Sequence, residues 1–126
     1  MSNQKLQALI VEDNLSLAEI FKEAMQMAGF ETFQVHDGLE ARTTITELRP
    51  VVVVLDLHLP NLDGEVILKE IRQNPTLQKT KIIVVSANSR QASYLTDLAD
   101  FVLLKPISFR QLRDLATRLY PSLSKE

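Results

Sequence analysis

Short, unbroken apolar runs alternate along this chain with stretches whose apolar residues recur every three or four positions. The first kind reads as buried strand and the second as amphipathic helix. The strongest run is Val51 to Leu55 (VVVVL), β-branched or aliphatic with no polar alternation, which predicts a strand buried on both faces. It runs straight into Asp56, and Pro50, Pro60 and Gly64 punctuate the chain on either side. Leu6 to Val11 (LQALIV) predicts a second buried strand, and Lys81 to Ser86 (KIIVVS) and Phe101 to Leu104 (FVLL) predict two more apolar strands. Glu31 to Val35 (ETFQV) alternates with polar residues and predicts an edge strand.

The intervening stretches predict helices. Leu17, Ile20, Phe21, Ala24, Met25 and Ala28 make one apolar face, with Asn14 as N-cap and Gly29 as the stop. Asp37-Gly38 turns the chain into a second helix, Leu39 to Leu48, with Leu39, Ala41, Ile45 and Leu48 inward. A third runs from Gly64 to Gln73 on Val66, Ile67 and Ile71, and Asn74-Pro75 ends it. Ser89 to Ala99 is weakly amphipathic, with only Ala92, Leu95, Leu98 and Ala99 spaced for burial; a weak helix of this kind suits a mobile switch element. Ser108 caps a last helix with Phe109, Leu112, Leu115, Ala116 and Leu119 inward, closed by Pro121.

Five strand–helix units in strict alternation predict an α/β fold, a doubly wound parallel sheet with helices on both faces. No linker, repeat or low-complexity tract divides the 126 residues, so the reading is one domain over 1–126, with a core of about 5–120 and a polar tail at 121–126. Composition narrows the function. The absence of cysteine excludes disulfides, thiolate chemistry and zinc–cysteine sites. A net charge of -2 disfavours direct nucleic-acid binding, and neither a leader peptide nor a membrane span is evident, which is compatible with the cytosol.

In a parallel sheet all strand C-termini lie on one edge, where ligands of open α/β sheets bind. Here that edge collects Glu12 and Asp13 from the first strand, Asp56 from the third, Ser86 from the fourth and Lys105 from the fifth. Adjacent carboxylates repel one another, and a hard divalent cation such as Mg2+ relieves the repulsion. A lysine and a hydroxyl can both hold a phosphoryl oxygen. Together the set describes phosphoryl transfer onto an aspartate. Taken singly, each residue has a plainer reading: Asp56 as a turn former, Ser86 as a cap, Lys105 as a solvated lysine, Glu12-Asp13 as favouring the positive end of the next helix. Their joint occurrence at four strand ends is what favours chemistry.

The residues also match a family. LIVEDN (Leu9–Asn14), VVVVLDLHLPNLDG (Val51–Gly64), IIVVSA (Ile82–Ala87) and LLKPIS (Leu103–Ser108) resemble, in order and spacing, the receiver domain of bacterial two-component response regulators, and the resemblance covers about residues 5–120. It implies the flavodoxin-like receiver fold with strand order 2-1-3-4-5. It implies Asp56 as phosphoacceptor, served by a histidine kinase or a phosphotransfer protein. Asp13 would hold Mg2+ directly, Glu12 through water, and the backbone carbonyl of His58 would add a ligand. Ser86 would bond the phosphoryl group, Lys105 would pair with it, and Lys105-Pro106 would be a cis peptide. The side chains of His58 and Asn88, each two residues past a site residue, would flank the path of the hydrolytic water and set the phosphoaspartate lifetime.

Some positions depart from the family pattern: Leu98-Ala99 stands where Gly-Ala is common, and Ile107 where Phe is frequent. Val102 stands where an aromatic readout residue is usual; Phe101 is adjacent, but alternation along a strand turns it to the other face. Output would pass to a downstream protein target or an output domain, none of which lies in this chain, and a phospho-dependent homodimer is open. Three other classes compete. A pseudo-receiver would bind partners without phosphorylation; the intact acid pair, Asp56, Ser86 and Lys105 weigh against it, and Val102 mildly for it. A haloacid-dehalogenase-type phosphatase would want a D-x-D motif, where this chain has His58. A flavodoxin-like cofactor carrier would want a Gly/Ser/Thr-rich loop where Glu12-Asp13 stand.

Overall fold

The computed structural model describes residues 5–124. Strands and helices alternate through them: β1 (Gln7–Val11), α1 (Leu15–Met27), β2 (Glu31–Val35), α2 (Gly38–Leu48), β3 (Val52–Asp56), α3 (Gly64–Gln73), β4 (Lys81–Ser86), α4 (Ser89–Tyr94), β5 (Phe101–Leu104) and α5 (Phe109–Ser124), with a short 3-10 turn at Pro75–Leu77. All strand pairings are parallel and the order is β2-β1-β3-β4-β5. This is the doubly wound, flavodoxin-like architecture expected from the alternation, and ETFQV is indeed an edge strand.

Strand alternation sorts the core into two layers. Ala8, Ile10, Val52, Val54, Ile83 and Val85 face α1 and α5, against Phe21, Met25, Leu112 and Ala116. Leu9, Val11, Val53, Leu55, Ile82 and Val84 face the other way, onto Ala41, Ile45, Ile67, Leu68 and Ile71 of α2 and α3. Each fully buried side chain of this size stabilises the fold by about 1.5–3 kcal/mol. The registers are level across the sheet: Val11 lies beside Leu55, Asp56 beside Val85 and Ser86 beside Leu104. The residues that follow these strands therefore meet at one edge.

Side-chain caps start four helices just beyond that edge. The side-chain oxygens of Asn14, Asp37, Asn88 and Ser108 accept from the backbone N–H of Leu17, Glu40, Gln91 and Gln111 at 2.8–3.0 Å. At α3 the backbone itself comes close: a Cβ on Gly64 would lie 2.3 Å from the carbonyl oxygen of Asp56, so only glycine lets the helix start against the end of β3. Gly29 ends α1 at φ +113, a conformation other residues rarely adopt.

Five details differ from the sequence reading. Ile20 is exposed, because the buried face of α1 is set by Ala18, Phe21, Ala24 and Met25. Leu39 points outward, because the buried face of α2 is set by Gly38, Ala41 and Ile45. Val66 is exposed too, since α3 buries Gly64, Ile67, Leu68 and Ile71 instead. The helix expected over 89–99 stops at Tyr94. Leu95 is buried, but Leu95 and Leu98 close tight i→i+3 turns rather than continuing the helix. Pro121 does not close the last helix, which runs on to Ser124 while Tyr120 and Leu123 pack on the core. Residues 125 and 126 of the expected tail lie outside the described residues.

Candidate functional site

The level registers bring Glu12, Asp56, Ser86 and Lys105 together at the C-terminal edge of the sheet. Asp56 is the last residue of β3 and is 3% exposed; Glu12, one residue past β1, is 1% exposed, and Ser86, the last of β4, is fully buried. Lys105 follows β5 and reaches back over the edge. Its Nζ lies 3.3 Å from Asp56 Oδ2, to which it donates, and 3.3 Å from Glu12 Oε1. Asp56 Oδ1 accepts from the backbone N–H of His58 at 3.1 Å. The His58 side chain is exposed, and the peptide bond between Lys105 and Pro106 is cis.

The charges are not balanced. Burial above all, then the neighbouring Asp56 carboxylate, pushes the Glu12 carboxyl up to about 7. Burial opposes the charge on Lys105, but Asp56 and then Glu12 outweigh it and raise its pKa. One lysine thus faces two buried acids. Asp13, exposed at the rim, adds a third, and a carboxylate oxygen from each of Glu12, Asp13 and Asp56 lies within 4.8 Å of the others. Glu12 Oε1 is buried and, although near Lys105, accepts no hydrogen bond. Carboxylate oxygens this close, one of them lacking a donor, fit a hard divalent cation.

The plainer readings can now be compared with the geometry. Capping of α1 and α4 falls to Asn14 and Asn88, not to Asp13 and Ser86. Glu12 does touch the start of α1, accepting from Asn14 N–H at 3.3 Å, but with Oε2 only. The Ser86 hydroxyl is held by the next loop: it accepts from Asn88 N–H at 2.9 Å and faces the Asn88 carbonyl at 3.4 Å. The Asn88 side-chain oxygen accepts from Gln91 N–H as the α4 cap. Phe101 and Val102 lie on opposite faces as alternation requires, Phe101 in the α1–α5 layer and Val102 in the α2–α3 layer.

The sequence reading takes His36 as an ordinary strand-end residue, with no part in the site. His36 follows β2, and its Nδ1 lies 3.0 Å from the backbone carbonyl of Glu12. Only the β1–β2 register, which pairs Val11 with Val35, would have pointed to it.

A sequence model of the response regulator receiver domain matches residues 8–117. The chain belongs to this family. As a receiver domain it is 30% identical to sporulation initiation phosphotransferase F of Bacillus subtilis, over 96% of this chain and 97% of that protein. It is also 30% identical to the DNA-binding response regulator MtrA of Mycobacterium bovis, over 89% of this chain but only 49% of the relative. The chain therefore spans nearly all of the first relative and about half of the second. Among solved structures, the receiver domain of a LuxO repressor protein from Vibrio parahaemolyticus superposes with a TM-score of 0.81 at 29% identity, covering 98% of this chain and all of that one. A CheY-like receiver domain from Methylobacillus flagellatus gives 0.80 at 32%, covering 92% and 99%. Among the described residues no helix of this receiver domain is long and apolar enough to cross a membrane.

Proposed function

We propose that this receiver domain is a Mg2+-dependent phosphoacceptor in a two-component phosphorelay, phosphorylated on Asp56. The observation that carries the reading is the buried Asp56 carboxylate, 3.3 Å from Lys105 Nζ with the acids Glu12 and Asp13 beside it. A carboxylate oxygen of Asp56 attacks the phosphorus of a phosphohistidine on a histidine kinase or phosphotransfer protein. The P–N bond breaks, the imidazole leaves, and an acyl phosphate forms. Lys105 pairs with a phosphoryl oxygen, and the Ser86 hydroxyl donates to another once it leaves Asn88. Asp13, Asp56, the His58 carbonyl and, through water, Glu12 would hold Mg2+, which supplies positive charge against the incoming phosphoryl oxygens. Apart from this self-phosphorylation and the later self-dephosphorylation, the domain is not an enzyme.

The phosphotransferase relative, matched over nearly its full length, supports the relay role. A downstream protein, or an output domain as in longer regulators, would read the modified surface, with a homodimer as one form of that contact. The net charge of -2 disfavours direct DNA binding by this domain, and a cytoplasmic place suits the relay.

Incubation with acetyl phosphate and magnesium should add one phosphoryl group to the intact mass, and Asp56→Asn should abolish it. No adduct, together with no trapping by beryllofluoride, would turn the reading to a pseudo-receiver that binds its partner unmodified. A second expectation concerns lifetime. His58→Ala and Asn88→Ala should each change the decay rate of the phosphorylated protein several-fold, on the order of 1 kcal/mol in the barrier. Unchanged decay in both would remove these two side chains from the hydrolytic step.

A further inference from the structure

Val102 leaves this domain without an aromatic side chain to report on Ser86, yet α4 is tied to the rest of the molecule by polar contacts. Only Ala92 of its six residues is buried. Its firmest link is to Glu65, in the first turn of α3. Tyr94 Oη donates to Glu65 Oε2 at 2.8 Å, and Gln91 Nε2 donates to Oε1 at 3.2 Å. Lys69, one turn along α3, donates to the same carboxylate at 3.0 Å. Three donors on one half-covered carboxylate are more than a solvated surface glutamate collects. They hold its pKa below the usual range, Lys69 foremost, then Tyr94 and Gln91.

The same contacts lead back to the site in four short links. Gln91 bonds Glu65 by its side chain and Asn88 Oδ1 by its backbone N–H. Asn88 in turn donates its own backbone N–H to Ser86 Oγ and faces the Ser86 hydroxyl with its carbonyl. Residues 86–94 are therefore fastened at one end to the buried serine and at the other to α3. The one hydroxyl proton cannot go to a phosphoryl group on Asp56 while it goes to the Asn88 carbonyl, and holding α4 restrains Asn88.

We propose that Glu65 is a positioning residue for phosphorylation: through Gln91 and Tyr94 it latches α4 to α3 in the unmodified protein and so keeps the Ser86 hydroxyl engaged by Asn88. The latch takes the place of an aromatic readout. Acquiring the phosphoryl group releases Ser86, shifts the 86–94 unit and breaks the Glu65 contacts, which frees the Tyr94 hydroxyl and the Gln91 amide for a partner. The coupling is reciprocal, so breaking the latch eases phosphorylation. The inference rests on the phosphoacceptor reading, and its test separates the two.

Two measurements are made on wild type, Glu65→Ala and Tyr94→Phe. The first is amide exchange of residues 89–95 without any phosphodonor. It should speed up in both variants, more in Glu65→Ala; no change overturns the latch whatever Asp56 does. The second is the rate of adduct formation with acetyl phosphate and magnesium, followed by intact mass. Losing two hydrogen bonds should raise it roughly three- to tenfold in Glu65→Ala and less in Tyr94→Phe. A merely structural role would lower the rate or leave it alone, and that result overturns the proposal. If wild type takes no phosphoryl group at all, the phosphoacceptor reading fails and the exchange result alone decides the latch.

Discussion

On one side of the sheet, α1 and α5 are long helices of 13 and 16 residues. They bury Phe21, Ala24, Met25, Leu112, Leu115, Ala116 and Leu119 against β1, β3 and β4. On the other side, near β4 and β5, α4 has six residues, one buried alanine and a set of hydrogen bonds. The first side fixes the backbone from which Glu12 and Asp56 project. The second carries the segment that follows Ser86. A site assembled across both can hold its acids rigidly while its hydroxyl and nearest helix stay free to move, because packing is hard to rearrange and a few exposed hydrogen bonds are not.

The contrast can be broken most directly by removing one side chain from each region. Phe21→Ala should cost about 4 kcal/mol in urea unfolding, as for a large aromatic removed from a closed core. Tyr94→Ala should cost under about 1 kcal/mol, since the side chain is 66% exposed. Equal losses would mean that α4 is as much a part of the core as α1.

A smaller effect tests the strain in the rigid half. The Glu12 pKa is raised to about 7, above its ordinary value of 4.5. The folded protein therefore holds a proton that the unfolded chain has released over that interval. The stability this proton gives is complete below pH 4.5 and is lost as pH rises through 7. Glu12→Gln lacks the titration. In metal-free buffer the variant should gain on wild type across this window, by at most about 3 kcal/mol at pH 8. Parallel stability curves would show that Lys105 already compensates Glu12 fully. The smallest signal should sharpen the comparison: on phosphorylation, amide exchange should speed up in residues 89–95, where the Glu65 contacts are lost, and stay unchanged in 15–27. Equal change in both would make the response global.

The sequence carried most of the fold, because buried parallel strands are continuous apolar runs and the four matched motifs sit at their ends. Asp56, Glu12, Ser86 and Lys105 could be brought to one edge by topology alone. What remained hidden depended on helix rotation and register. Leu39 and Val66 are apolar residues on the wrong side of short helices, and no periodicity in ten residues separates them firmly from Ala41 or Leu68. The end of α4 at Tyr94 was illegible because Leu95 and Leu98 keep helical spacing while making turns. The Glu65 contacts join residues 26 and 29 positions apart, and neither end has a pattern that names the other.

The ion pair between Lys105 and Asp56 also spans 49 positions, and Lys105 follows the last strand of the sheet. A growing chain emerges from the ribosome with Asp56 long before this lysine exists, and before β4 and β5 can close the edge beside it. Until then Asp56 is one carboxylate among many. The edge is in this sense a certificate of completed folding: under the proposed function, a donor that requires Lys105 beside Asp56 would pass over nascent, truncated or misassembled copies and address only finished ones.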